Sequence, residues 1–149
     1  MHLGIYRAAP AVRAIIHTHP PFATALSVLA LSDLHDLGGL LPEGDILLGE
    51  VALVPYRTPG TAQMAGPLLP LLSDHCAAIL RNHGALTWGP DLETAYVLTE
   101  TLEAVCRVAC QARQFGVPRR LEPEQREELA RLRARWRSGG PAAHGPDAR

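Results

Sequence analysis

A short apolar segment that ends in two histidines and two prolines constrains the fold of this chain more than any other feature; residues 12–21 read VRAIIHTHPP. Its small and β-branched residues predict a buried strand over residues 12–19. Side chains two residues apart share one face of a strand, so His17 and His19 project together while Thr18 points to the opposite face. The two prolines lack the N–H group that a strand ladder needs, and we therefore expect the strand to end there.

Two neighbouring imidazoles suit one metal ion, because neutral histidine is a good zinc ligand. Two ligands do not make a site, and the alternative is that one histidine lies in the core and the other at the surface. A third histidine, His83, lies in RNHGALTWG, where Gly84 permits a tight backbone. If residues 76–81 lie near the first strand, His83 reaches the pair, and three histidines with an open fourth position are typical of catalytic zinc. Alternatively, His83 is a turn residue that bonds only locally.

The composition indicates one globular domain with a real core, since 47% of the 149 residues are hydrophobic and 19% are charged. The net charge of −1 gives no sign of a nucleic-acid surface. We find no signal peptide and no apolar run of roughly 18 residues, which predicts a cytoplasmic protein without a membrane partner. Cys76, Cys106 and Cys110 lack a CxxC spacing and are expected to be reduced core residues.

The absence of lysine excludes one large class of enzymes. All 14 basic residues are arginine, and a Schiff base requires a lysine amine, so lysine-dependent aldolases and the usual enzymes that use pyridoxal phosphate are excluded. No GxSxG, P-loop or GxGxxG motif is present either.

The hydrophobic pattern and the turn residues predict a mixed α/β chain with helices on both faces of a small sheet. The expected helices are 2–9, 21–31, 61–72, 92–114 and 122–137, and the expected strands are 12–19, 46–48, 51–56, 76–81 and 85–88. The last two strands form a hairpin around residues 82–84. Pro67 and Pro70 interrupt their helix, and Asp91 and Gly116 mark the two ends of the long helix.

The C-terminal part divides from the main domain, which we place at residues 1–121. Residues 122–137 predict a charged helix with Leu129, Leu132 and Trp136 on one stripe, more typical of a docking helix or a solvated arm than of a nucleic-acid binder. Residues 138–149 are expected to be disordered.

Three segments resemble the class II aldolase and adducin family, whose members include L-fuculose-phosphate aldolase and L-ribulose-5-phosphate 4-epimerase. They are HLGIYRAAPAVRAIIHTHPPFATALS, VPYRTPGT and RNHGALTWGPDLETAYVLTETLE, and the resemblance runs from residue 2 to about residue 115. It implies a three-layer α/β/α sandwich with a mostly antiparallel central sheet. It also implies a homotetramer with active sites between subunits.

The resemblance implies a zinc site made by His17, His19 and His83. In the aldolases of the family, zinc holds the hydroxyl and carbonyl oxygens of dihydroxyacetone phosphate and stabilises the enediolate. Sites of three histidines also accept manganese or cobalt. Tyr56 matches a tyrosine that a neighbouring subunit offers as proton donor, although it can also simply pack at a strand end.

The implied activity is a zinc-dependent lyase that cleaves a sugar 1-phosphate, such as L-fuculose 1-phosphate, to dihydroxyacetone phosphate and an aldehyde. The same histidines also fit a pentulose-phosphate 4-epimerase or a methylthioribulose-1-phosphate dehydratase. An adducin-like domain without catalysis is the alternative of a different class. Adducin-type heads lose the metal ligands, whereas all three are present here.

The chain departs from the family pattern at its start. The family's catalytic base is a glutamate four residues before the histidine that aligns with His2, and that position precedes Met1. We place no internal glutamate at the metal; the ones considered are Glu43, Glu50, Glu93 and Glu100. His2 itself is expected to be a surface residue. The chain therefore corresponds to the C-terminal two-thirds of such an aldolase, either cut short at its N-terminus, begun at a misassigned start or a real short form. We expect an exposed apolar edge where the missing strands would pair.

Overall fold

The computed structural model describes residues 1–30 and 37–137. In chain order the elements are α1 (His2–Ala8), β1 (Ala14–Thr18), α2 (Pro21–Ser27), a π-helical turn (Gly44–Leu48), β2 (Ala52–Val54), two 3-10 turns (Ala62–Met64 and Gly66–Leu71), β3 (Ala77–Leu80), β4 (Gly84–Gly89), α3 (Leu92–Phe115) and α4 (Pro123–Arg137). The predicted tail at 138–149 lies outside the described residues. The predicted helix 21–31 ends earlier than expected, at Ser27, and only residue 31 of its range lies outside them.

The four described strands form one sheet in the order β1-β4-β3-β2. The β1–β4 and β3–β4 pairs are antiparallel, and only β2–β3 is parallel. The strand that pairs with β1 is therefore β4, and β3, expected only to lie near β1, is the next strand of the sheet. Because of these directions, β1, β2 and β3 all end at the same end of the sheet, where β4 begins. Residues that follow these three strands thus gather at one end of the molecule.

Helical segments cover both faces of the sheet, and this arrangement confirms the predicted three-layer α/β/α class. Alternate residues of β3 enter two different cores: Ala77 and Ile79 pack with α2 and α3, whereas Ala78 and Leu80 pack on the side of α1 and the 3-10 turns. All four of these residues are buried. In the described sheet, β1 and β2 are the edge strands.

The long helix α3 forms as its sequence predicts. The side chain of Asp91 caps it by accepting a hydrogen bond of 2.7 Å from the backbone N–H of Thr94. Its buried residues follow a spacing of three or four positions, with one adjacent pair at 105 and 106: Ala95, Leu98, Leu102, Val105, Cys106 and Ala109. This spacing gives one apolar stripe, which packs against the sheet.

The predicted strand at 46–48 is wrong, because residues 44–48 form a π-helical turn. Gly44 packs directly on α3, where an added Cβ would lie 3.0 Å from Cγ2 of Val105. The carboxylate of Asp45 accepts a hydrogen bond of 2.8 Å from the N–H of Gly39 and so closes the loop on itself. These contacts coil the segment onto α3 and leave it no strand partner.

The prediction of a helix at 61–72 is also wrong, because this segment forms two short 3-10 turns. Pro67 and Pro70 have no N–H to donate, so an uninterrupted α-helical ladder cannot run through them.

Helix α4 is attached mainly through arginine side chains. The Nη2 atom of Arg126 lies 3.2 Å from the buried carboxylate of Asp45, and Nη1 of Arg133 donates to the Asp45 carbonyl at 3.4 Å. Leu132, expected on the docking stripe, is 41% exposed. Among the described residues, no helix has the length and apolar character that crossing a membrane requires.

Candidate metal centre

The structure brings together the three histidines that the sequence singles out. His17 lies in β1 and His19 directly follows it, while His83 lies in the turn between β3 and β4. One ligand atom from each ring lies within 4.8 Å of the other two. The ring centroids form a nearly equilateral triangle with sides of 5.1, 4.8 and 4.9 Å. Three imidazole nitrogens thus converge on one point.

A backbone carbonyl orients His17. Its Nδ1 atom donates a hydrogen bond of 2.8 Å to the carbonyl oxygen of Ala85 on the neighbouring strand. In the neutral ring this bond fixes the tautomer that carries its proton on Nδ1, which makes Nε2 the ligand atom. Metal-binding histidines commonly donate their other ring nitrogen in this way.

Gly84 makes room for His19. An added Cβ at Gly84 would lie 2.5 Å from Cδ2 of His19 and 2.6 Å from the carbonyl oxygen of Thr18. The end of β1 can therefore approach β4 closely only because residue 84 has no side chain. The glycine is required for this close approach, not for a left-handed backbone.

Backbone hydrogen bonds of Asn82 and His83 hold the turn that carries the His83 ring. Asn82 adopts a left-handed backbone with φ of 53°, a conformation that asparagine tolerates better than most residues. Its N–H donates to the carbonyl of Ser27 at 3.1 Å, and the N–H of His83 donates to the carbonyl of Leu80 at 3.1 Å. The His83 ring is thus presented from a short, hydrogen-bonded loop.

The surroundings of His83 favour its neutral form. Burial, followed by the nearness of His17 and His19, lowers the pKa of His83, and the neutral imidazole is the form that binds metal. The Nδ1 atom of His83 is buried and has no hydrogen-bond partner among the described residues. Three histidine rings, one of which has a buried ring nitrogen without a hydrogen-bond partner, fit a divalent cation. Among the described residues, the group contains no carboxylate or thiol.

His2 lies nearer to the site than its sequence position indicates. It is partly buried, and burial, followed by the charge of His17 and of the N-terminal amine, lowers its pKa. Its partial burial does not contradict a surface position, and among the described residues His2 is not part of the histidine cluster.

Tyr56 lies two residues beyond β2 at the same end of the sheet as the histidines. Strands β4 and β3 separate β2 from β1, a distance of about 14 Å at normal strand spacing. The Tyr56 residue is 50% exposed, so it is accessible to another molecule. Its catalytic role stays a prediction.

Comparison with known proteins gives one family. The family model described as "Class II Aldolase and Adducin N-terminal domain" matches residues 1–110. The chain is 37% identical over 108 residues to an L-fuculose phosphate aldolase of Methanococcus maripaludis, a match that covers 72% of this chain and 56% of that protein. It is 35% identical over 108 residues to a 3-oxo-tetronate 4-phosphate decarboxylase of Escherichia coli, covering 72% of this chain and 51% of that protein.

Solved structures give the same result. The YgbL protein of Klebsiella pneumoniae superposes with a TM-score of 0.79 at 33% identity, covering 86% of this chain and 62% of that one. The L-fuculose-1-phosphate aldolase of Thermus thermophilus superposes with a TM-score of 0.67 at 33% identity, covering 76% and 60%. The chain thus spans between about half and two-thirds of the length of these relatives.

Proposed function

The chain belongs to the class II aldolase and adducin family, and from this premise we propose that it is a metal-dependent lyase acting on a phosphorylated sugar. The substrate we favour is a ketose 1-phosphate of the L-fuculose 1-phosphate kind, cleaved to dihydroxyacetone phosphate and an aldehyde. The convergence of the three histidine rings is the observation that carries this proposal. The absence of lysine supports it, because the Schiff-base route to the same cleavage is closed.

We propose that ring nitrogens of His17, His19 and His83 hold the cation, with zinc as the first choice and manganese or cobalt as alternatives. When bound, the cation supplies a Lewis acid that stabilises negative charge on substrate oxygens. The Ala85 carbonyl keeps His17 in the ligating tautomer, and burial keeps His83 neutral by lowering its pKa.

Cleavage needs one proton to leave a substrate hydroxyl and another to reach the carbon of the new dihydroxyacetone phosphate. We assign the donation to Tyr56 of a neighbouring subunit, because a tyrosine hydroxyl is protonated at neutral pH and this side chain is exposed. The assignment includes a homotetramer with sites between subunits. We assign the abstraction to none of the described residues, since their histidine cluster contains no carboxylate.

Decarboxylation of a 3-oxo acid phosphate is a second candidate reaction. The chain is 35% identical to the decarboxylase of Escherichia coli and 37% identical to the aldolase of Methanococcus maripaludis. These nearly equal identities favour the decarboxylation as a second candidate. The 4-epimerase and the dehydratase remain candidates on the same ligand set. An adducin-like domain without catalysis is the remaining alternative.

Metal content and product analysis test the proposal together. We expect about one zinc per chain in the purified protein, lost in His83→Ala and retained in His75→Ala, which removes a histidine outside the cluster. Release of dihydroxyacetone phosphate from L-fuculose 1-phosphate supports the aldolase, whereas release of carbon dioxide from 3-oxo-tetronate 4-phosphate supports the decarboxylase. A parent chain that binds no added zinc, manganese or cobalt overturns the metal-dependent assignment and favours the adducin-like domain.

A further inference from the structure

Glu103 joins α3 to the segment that directly follows the histidine strand. Its two carboxylate oxygens accept hydrogen bonds of 2.9 Å from the backbone N–H groups of Phe22 and Ala23. The partners are 81 and 80 residues apart in the chain. Glu103 is partly buried and is not one of the clustered metal-ligand residues.

This carboxylate supplies the N-terminal cap that α2 lacks. The N-cap position is Pro20 and the first helical residue is Pro21, and the first turn contains no acidic residue. The first N–H groups of a helix have no partner within it. Because Pro20 and Pro21 have no N–H group, only the N–H groups of Phe22 and Ala23 need a partner here. Glu103 satisfies both, and a negative charge at a helix N-terminus is electrostatically favourable.

The capped residues lie close to a candidate ligand. His19 is three residues before Phe22, and the two residues between them are prolines, whose φ is fixed. On the other side of His19, β1 is paired with β4 as far as Thr18. The short segment that carries the His19 ring is therefore anchored by the sheet at one end and by Glu103 at the other.

We propose that Glu103 is a positioning residue, which holds the start of α2 so that His19 stays in register with His17 and His83. The role rests on the proposed metal site and deepens it. Glu103 acts through the backbone of residues 20–23 and does not touch the cation.

The chain provides a matched control for Glu103. Glu100 lies one turn earlier on α3, and both glutamates line the same cleft of about 690 Å³, together with Thr18 and Phe22. The Glu100 carboxylate accepts a hydrogen bond of 2.9 Å from the hydroxyl of Tyr96 on its own helix. Glu100→Gln therefore makes the same change of charge in the same cleft without releasing the cap.

Hydrogen exchange of the metal-free chain tests whether Glu103 holds the segment. In Glu103→Gln an NH2 group, which cannot accept a hydrogen bond, replaces one of the two acceptor oxygens, so one of the two N–H groups loses its present acceptor. We expect backbone exchange in residues 22–24 to be about tenfold faster in Glu103→Gln and unchanged in Glu100→Gln. Parent-like exchange in Glu103→Gln overturns the proposal whether or not the chain binds metal.

Cobalt titration tests whether this hold matters for the site. We expect a Kd for Co²⁺ about tenfold higher in Glu103→Gln, on the scale of losses from residues that support metal ligands, and a further increase in Glu103→Ala. Glu100→Gln should match the parent. Asp45→Asn, which destabilises the chain away from the histidines, controls for general loss of stability. If Glu103→Ala does not fold, the glutamine variant alone decides.

The cobalt titration separates failure of the positioning role from failure of the proposed function. A Kd for Glu103→Gln within twofold of the parent, or an equal weakening in Asp45→Asn, overturns the positioning role. A parent chain that binds no Co²⁺ overturns the proposed function instead, and the exchange experiment still decides whether Glu103 holds the start of α2.

Discussion

The histidine cluster and the attachment of α4 both join residues that are distant in the chain, but they do so by different means. Main-chain bonds assemble the cluster, through the β1–β4 ladder and the turn before β4. Helix α4 is joined by side chains, among them the pair formed by Arg126 and the buried Asp45. The comparison teaches that backbone pairing sets most of the geometry of the site, with Glu103 proposed to hold the segment after β1, whereas charged side chains attach α4.

Gly84→Ala should have the largest effect of these changes, a loss of metal affinity, and it tests the main-chain contacts that assemble the histidine cluster. In Gly84→Ala the new methyl group meets both the His19 ring and the Thr18 carbonyl oxygen, so the end of β1 must move. We expect the affinity for Co²⁺ to fall about 100-fold, at the upper end for residues that support metal ligands. Gly66→Ala, where no atom lies within 4 Å of the added Cβ, should bind as the parent does; equal binding by both variants contradicts the close-approach argument.

Removal of the metal should have the second-largest effect, a loss of thermal stability. At a free zinc concentration of 100 times the Kd, binding stabilises the folded chain by about 2.7 kcal/mol. A chelator should therefore lower the melting temperature of the parent, and it should leave His83→Ala unchanged. The measurement is thermal unfolding followed by circular dichroism, and a parent that melts at the same temperature with zinc and with chelator contradicts the prediction.

Asp45→Asn tests the side-chain half of the comparison. The Asp45 carboxylate is buried and bonded to the N–H of Gly39 and to Arg126, but Arg126 is 44% exposed, so water screens the pair. We expect the free energy of unfolding in urea to fall by about 1–2 kcal/mol, with Co²⁺ affinity unchanged. A large loss of affinity would mean that the two regions are coupled.

Arg131→Gln should have the smallest effect. Arg131 lies 3.7 Å from Glu127 on the exposed face of α4, and their side chains are 77% and 72% exposed. Exposed pairs of this kind contribute little to stability. The urea midpoint should not move measurably, and a clear shift would show that α4 depends on more than its contact with Asp45.

The sequence predicted the parts of the site that follow from local geometry. The two-residue period of a strand places His17 beside His19, and the turn residues around His83 indicate an exposed loop between strands. It could not predict that β4 would lie between β1 and β3, because pairing order depends on contacts distant in the chain.

Other features depended on partners that no local pattern reveals. The segment GDILL looks like the start of a strand, yet Gly44 packs on Val105 and turns it into a helical turn. Glu103 falls within the predicted helix 92–114, and no motif marks it. The signal that it had a special role lay elsewhere, in a helix that begins with two prolines and has no capping side chain of its own.

The placement of the histidines has a kinetic consequence. His17 and His19 belong to an edge of the described sheet, whereas His83 follows the strand β3, which is buried on both faces. An ion held by all three would cross-link the end of β1 to the turn between β3 and β4. The end of β1 could then separate from β4 only if the ion released a ligand, so the loaded chain would open at this edge more slowly than the empty one.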